Sequence, residues 1–447
     1  MAPPQLSRWR AIAGGAATLA LLSLVLAGAG CAPGDDGGSG ASAPERAMRL
    51  ERAESLDVLR ARNAEHVEEP AWARLYWARV LDRRPNDRAA LWGFARAATR
   101  GAEAGLSEAR GALERLIAQG EAADDARLLL ARTLHLLGDS AAARVALHGM
   151  DGTEALGLVA LSWLNSEPER GLEPARAALA ASPSDPDLHL LAARLALRAG
   201  DPEGALGHAR EALRLAPLRS SAAYLVARAL AARGEAAEEA LETAALLYGL
   251  ENPGPDVEQA LAALEKLPPD PRIHLRRVEL LLASGRAGEA RAALDRALPP
   301  AAASRLLRLA ERAQRAGDLG LARRLIELAL AHEPDSARAC GMAAELAFAA
   351  GDLVAASGFA ERLAELFPDA AAAAHVRGLL ALTRGEEGAA ELELERAVSL
   401  APFIARYRVA WLEALWTAGR RQEALRGLED APAAAPELAA FRQRRRL

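Results

Sequence analysis

The chain has 447 residues; 51% are hydrophobic, 4% aromatic, and the formal charge is -5 at pH 7. That balance excludes a basic nucleic-acid binder. Ala, Leu, Arg and Glu dominate, all of them helix formers, and long β-branched runs are missing. An all-α chain is expected.

In chain order, the first element is an address. Arg8 and Arg10 form a basic head, Ala11 to Gly30 is an uncharged apolar run, and small residues lead into Cys31. This order describes a secretory signal, and a Cys directly after "AGAG" resembles a bacterial lipoprotein signal. The resemblance implies that Cys31 is lipidated and begins the mature chain. Gly28 stands where such signals usually carry Leu, so an uncleaved transmembrane helix or an ordinary cleaved signal is the competing reading. Either way, the basic head places the rest of the chain outside the cytoplasm. Ala32 rather than Asp follows the Cys, which favours the periplasmic face of the outer membrane over the inner membrane. Residues 1–30 are thus read as the signal and 31–46 as a flexible tether, too poor in apolar bulk to repay its ordering. Lipidated Cys31 leaves Cys340 without a disulfide partner, as a small buried residue.

After the tether the chain becomes periodic. Trp77, Pro85 and Trp92 suggest one early junction, and Gly138-Asp139 with Ala143 another. From Pro186 the pattern sharpens. Pro183 and Pro217 are 34 residues apart, as are Pro300, Pro334, Pro368, Pro402 and Pro436, and a parallel series runs Gly317, Gly351, Gly385, Gly419. In the unit Pro186 to Pro217, Leu188, Leu191 and Leu195 keep helical spacing, Gly200-Asp201 breaks the helix, and Ala205, Ala209 and Ala212 line a second helix. Pro217 closes the unit. A helix pair cannot bury both faces alone, so such units stack. "YGLENPGPD" lengthens one unit, and the short helix Val257 to Lys266 is an extra element where a break in the superhelix is expected.

This spacing, with Gly378, Gly385, Ala390, Ala397 and Pro402 in one unit and Gly317, Ala322, Ala329 and Pro334 in another, resembles the tetratricopeptide repeat (TPR). The resemblance implies a right-handed α-α superhelix, a TPR solenoid of roughly 11-12 helix pairs. The expected divisions are an amino-terminal array at 47–255, the irregular segment at 256–270, a carboxy-terminal array at 271–438 and a basic tail at 439–447. It also implies that the first helix of each pair lines a concave groove, and that the protein is a scaffold for a protein or peptide segment.

Six residues before each turn Gly stand Arg132, Arg194 and Arg228, then Glu279, Glu311, Glu345, Leu379 and Glu413. Aligning the early units adds Arg62 and Arg96, while one loose unit has Ala160. The groove position is therefore basic in the amino-terminal half and acidic in the carboxy-terminal half. Flanking positions are apolar or aromatic: Trp92, Leu190, Tyr224, Leu275, Phe348 and Trp416. Two readings follow: a groove that orients a partner with acidic and basic ends, or Arg and Glu that pair internally and project no field.

No metal-ligand spacing, phosphate loop or nucleophile elbow occurs, so no catalysis, metal or cofactor is expected. The competing functions are an envelope enzyme with an unrecognised site and a solenoid that associates with itself. A soluble terminus is the plain reading of Arg442, Arg444, Arg445 and Arg446; contact with anionic lipid is the other.

Overall fold

The computed structural model describes residues 43–445, apart from 101–103, 121–123, 252–256, 266, 268–270, 295–302 and 430–435. The signal, Cys31 and most of the tether lie outside the described residues. The chain forms two compact units. Of the first, ending at Arg52, only the helical residues 43–52 are described; the second runs from Ala53 to Leu447 and holds everything below.

Every regular element among the described residues is a helix. The first hairpin is α1 (Ala43–His66) and α2 (Pro70–Arg83). Then come α3 (Arg88–Thr99) with α4 (Ala104–Ala118), α5 (Asp124–Leu136) with α6 (Ser140–Ala146), and α7 (Thr153–Trp163) with α8 (Pro168–Ala181). The clearest units are α9 (Pro186–Arg198) with α10 (Pro202–Leu215) and α11 (Ser220–Ala232) with α12 (Glu238–Glu251). A lone helix, α13 (Val257–Glu265), separates them from α14 (Pro271–Ala283) with α15 (Ala287–Leu294). The series continues as α16 (Ala303–Arg315) with α17 (Leu319–His332), α18 (Ala337–Ala349) with α19 (Leu353–Leu366), α20 (Ala371–Thr383) with α21 (Glu387–Leu400), and α22 (Ala405–Thr417) with α23 (Arg421–Glu429). A last single helix, α24 (Pro436–Arg445), covers the end.

A Gly-Asp pair makes the turn in four of the hairpins. Gly317 has φ 80°, a left-handed conformation that ends α16 at little cost because glycine has no Cβ. The N–H of Asp318 then returns to the Ala313 carbonyl at 2.9 Å, and its carboxylate accepts from the Leu321 N–H at 2.9 Å to start α17. Asp139, Asp201 and Asp352 do the same at their own second helices. The first hairpin lacks the glycine. Its turn residue is Glu68, the one non-glycine residue with positive φ (59°) among those described, a backbone state that L side chains rarely adopt.

Small residues bring the paired helices together. Ala205, Ala209 and Ala212 are fully buried. A Cβ on Gly378 would lie 2.6 Å from Leu394 Cγ, so α20 and α21 approach as closely as glycine permits. The α13 helix places Ala260, Leu261 and Leu264 in a hydrophobic cluster that extends from Ala223 to Leu346, so buried apolar contact continues past the irregular segment. No helix among the described residues is long and apolar enough to cross a membrane.

The first hairpin also packs far away in sequence. Asn63, buried, donates to the Asp369 carbonyl at 2.9 Å and accepts from the Ala371 N–H at 2.8 Å. Arg60 Nε donates to the Ser399 carbonyl at 2.9 Å. Trp72 stacks on Phe403 with ring centroids 5.7 Å apart, His66 meets Phe367 edge-on at 4.9 Å, and Glu68 pairs with Arg338. The beginning of the solenoid thus closes onto the α18–α22 region.

Candidate partner-binding groove

The first helices of successive pairs hold the charged positions read from the repeat. In the acidic half these carboxylates are engaged. Glu279 accepts from Arg305 Nε and Arg276 Nη1, each at 2.6 Å. Glu311 pairs with Arg338 at 2.8 Å. Glu345 lies 3.2 Å from Arg406 and 3.3 Å from His375 Nδ1. Glu413 pairs with Arg444 at 3.0 Å and also with Arg445.

Titration follows the pairing. Burial would raise the Glu279 carboxyl, but the hydrogen bonds from Arg305 and Arg276 outweigh it and hold it below the ordinary carboxylate range. The same contest at Glu413 is decided by Arg445 and Arg444. Glu345 is held lowest, at about 2: burial opposes ionisation, and the Arg406 charge with the His375 hydrogen bond overcomes it. Beside it, burial and the Glu345 charge push the Tyr407 hydroxyl up.

The basic half differs. Arg132 pairs with Glu154 at 2.8 Å, and Arg96 lies over the Trp92 ring at 5.9 Å. Arg62, Arg194 and Arg228 are exposed and make no ion pair with another described residue. The local reason is legible. Arg132 faces a following groove helix that begins with Thr153-Glu154, whereas the helix after Arg194 begins Ser220-Ser221. At these two positions the acid neutralises its arginine and the serine does not, whereas Arg96 stays unpaired although the next groove helix opens with Asp124-Asp125. Nearby Asp187 does not serve Arg194 either, being paired with Arg219.

Arg194 lines a groove of about 780 Å³ with an apolar wall of Leu158, Leu161 and Leu191, and with Arg132–Glu154 and Arg219–Asp187 already paired and Asp185 at its edge. Of the flanking positions, Tyr224 is exposed, Trp92, Phe348 and Trp416 are half-buried, and Leu190 and Leu275 are buried. Leu379 is half-buried. The fold therefore brings together Arg194, Leu190 and the wall around them, and it disperses the four glutamates into separate ties between helices. Sequence reading missed the long-range contacts of Asn63, Trp72 and Phe403. No local signal marks them: the first turn lacks a glycine, but so does the α7–α8 turn at residues 164–167.

Among the described residues no group of three or more His, Cys, Asp or Glu side chains is arranged to hold a metal. Cys340 is fully buried, and burial pushes its thiol pKa up.

Residues 190–255 match the tetratricopeptide repeat family model. No curated protein sequence matches the chain. Solved structures resemble it. YrrB, described as a TPR protein with an unusual peptide-binding site, is 18% identical with a TM-score of 0.34, over 41% of this chain and 97% of its own. Cut9-Hcn1 of the APC/C is 15% identical with a TM-score of 0.32, over 90% and 98%. Yeast Tom70 is 16% identical with a TM-score of 0.32, over 89% and 96%. Scores of this size carry nothing about partners. The hairpins, their capping and the matched segment define the fold as a TPR solenoid.

Proposed function

We propose that this solenoid is a non-catalytic scaffold, tethered through Cys31 to a membrane on the non-cytoplasmic side. In this reading its amino-terminal groove binds a protein segment that carries carboxylates. The observation that carries the binding part is Arg194, unpaired in a groove with an apolar wall, with exposed and unpaired Arg228 one repeat further on. Guanidinium groups suit bidentate carboxylate pairing, while the apolar wall supplies contact area. The acidic half contributes stability between helices rather than a field toward the partner, since each of its four glutamates already faces an arginine. The tether rests on the basic head, the apolar run and Cys31, and Ala32 favours the outer membrane as its destination.

The test is affinity capture from native membranes with the wild type and the Arg194→Glu, Arg228→Glu double variant, together with fractionation of Cys31→Ala. The expected result is a captured protein that the double variant loses, and release of Cys31→Ala from membranes. A partner retained by the double variant sinks the groove assignment. A Cys31→Ala protein that stays membrane-bound sinks the lipid tether.

A further inference from the structure

His66 stands in the seam between the first hairpin and the carboxy-terminal repeats, three residues after Asn63 and two before Glu68. Its ring meets Phe367 edge-on at 4.9 Å. It is part-buried, and its Nδ1 is sealed from solvent with no hydrogen-bond partner among the described residues. A bare ring nitrogen tolerates that place when the neutral ring keeps its proton on Nε2. A protonated ring does not, because both nitrogens then carry N–H groups and one of them lacks an acceptor. The charges around the ring do not reverse this. On its own helix Arg62 opposes a charged ring and Glu65 favours it, while Glu65 also accepts from Trp77 Nε1 at 2.9 Å. Across the seam Asp369 lies 3.5 Å from Arg396, and Arg338 is taken by Glu68 and Glu311. In the cavity beside the ring Glu345 is held by Arg406 and His375, and Glu69 and Glu437 are exposed. Burial is the largest influence and, with Arg62, outweighs Glu65, holding the ring below the ordinary imidazole value.

We propose that His66 is a proton switch on the closure: the neutral ring lets the first hairpin seat, and protonation shifts the chain toward a form in which the hairpin has lifted. Lifting gives both ring nitrogens to water, so the open form takes up the proton more readily than the closed one. The direction follows from burial. The closed-state value is depressed, so the support that His66 gives to closure is complete above about pH 6.5 and is lost as pH falls below it. Opening separates Trp72 from Phe403 and His66 from Phe367, and it frees Arg338 from Glu68. Acid thereby turns an internally satisfied seam into an exposed aromatic and basic surface. The switch is separate from the Arg194 groove and from the membrane tether and stands without either.

The Ala371 N–H reports the closure directly. As the first residue of α20 it has no acceptor within its own helix, and it is held by Asn63 at 2.8 Å. Its hydrogen exchange, normalised to the intrinsic rate at each pH, is measured on the full chain at about pH 7.5 and about pH 5.5, either side of the imidazole value. Three proteins are compared: the wild type, His66→Phe and His66→Leu. The expected result is a several-fold loss of Ala371 protection in acid for the wild type and none for the two apolar variants. At the lower pH the variants should therefore be better protected than the wild type, an outcome that a purely structural role would not give. Protection of Ala205 to Ala212 should stay unchanged throughout. No acid response in the wild type, or the same response in all three proteins, overturns the proposal. So does a loss of Ala371 protection in both variants at both pH values, which would give the ring a packing role alone.

Discussion

Asn63 is the residue on which the closure turns most sharply. Its amide donates to the Leu59 and Asp369 carbonyls and accepts from the buried Ala371 N–H. Asn63→Ala strands the backbone groups of a distant loop, at a cost of about 1–3 kcal/mol for a buried unsatisfied group. Amide hydrogen exchange at Ala371 is expected to accelerate, while protection of Ala205 to Ala212 in the middle of the array stays unchanged. Equal protection of Ala371 in both proteins would mean that the hairpin does not seat there. This residue was not legible in the sequence. An asparagine three residues before the end of a helix looks like any exposed polar position until the contact 308 residues away is known. By contrast, Gly317 and Asp318 were legible, because a left-handed turn and a helix cap are demanded locally.

Between elements, the recurring device is a charge tie from one groove helix to the first turn of a later one. Glu279 reaches Arg305, Glu311 reaches Arg338, and Glu345 reaches Arg406. The sorting of Arg and Glu by half was visible in the sequence, but its meaning was not. The periodic position alone cannot distinguish a field from a tie; at Arg132 and Arg194 the first turn of the next groove helix separates the two. Glu154 after Arg132 and Ser220 after Arg194 are the particulars. The Glu345 tie carries a pH signature. Its pKa in the folded chain, about 2, lies below the ordinary carboxylate value, so its stabilisation is present above roughly pH 4.5 and is lost as pH falls through about 2. The full shift corresponds to at most about 3 kcal/mol. Comparing acid unfolding of the wild type and Glu345→Gln checks this: the variant should be less stable near neutral pH, and the two curves should converge toward pH 2. Parallel curves across that window would contradict the assignment.

For the whole molecule, the repeat and its helix pairs followed from a 34-residue period, since stacking is the one way for amphipathic hairpins to bury their inner faces. Eleven hairpins and two single helices, α13 and α24, are described. Closure of the first hairpin onto Phe403 and Ala371 was not in that period. It depends on how small rotations add up over many units, which no local pattern encodes. The same closure decides which charges remain for a partner: Glu68 and Arg338 are used within the chain, and Arg194 and Arg228 lie outside that contact. The central claim is therefore that, of the periodic groove positions, only the basic ones offer charge to a partner segment. It is tested most directly by measuring, at low and raised salt, the binding of a fluorescent array of extended acidic peptides. Three proteins are compared: the wild type, Arg194→Glu with Arg228→Glu, and Glu311→Gln with Glu413→Gln. The account predicts salt-sensitive binding that the arginine variant loses and the glutamine variant keeps. Binding that survives the arginine reversal, or that depends on the glutamates, would contradict it.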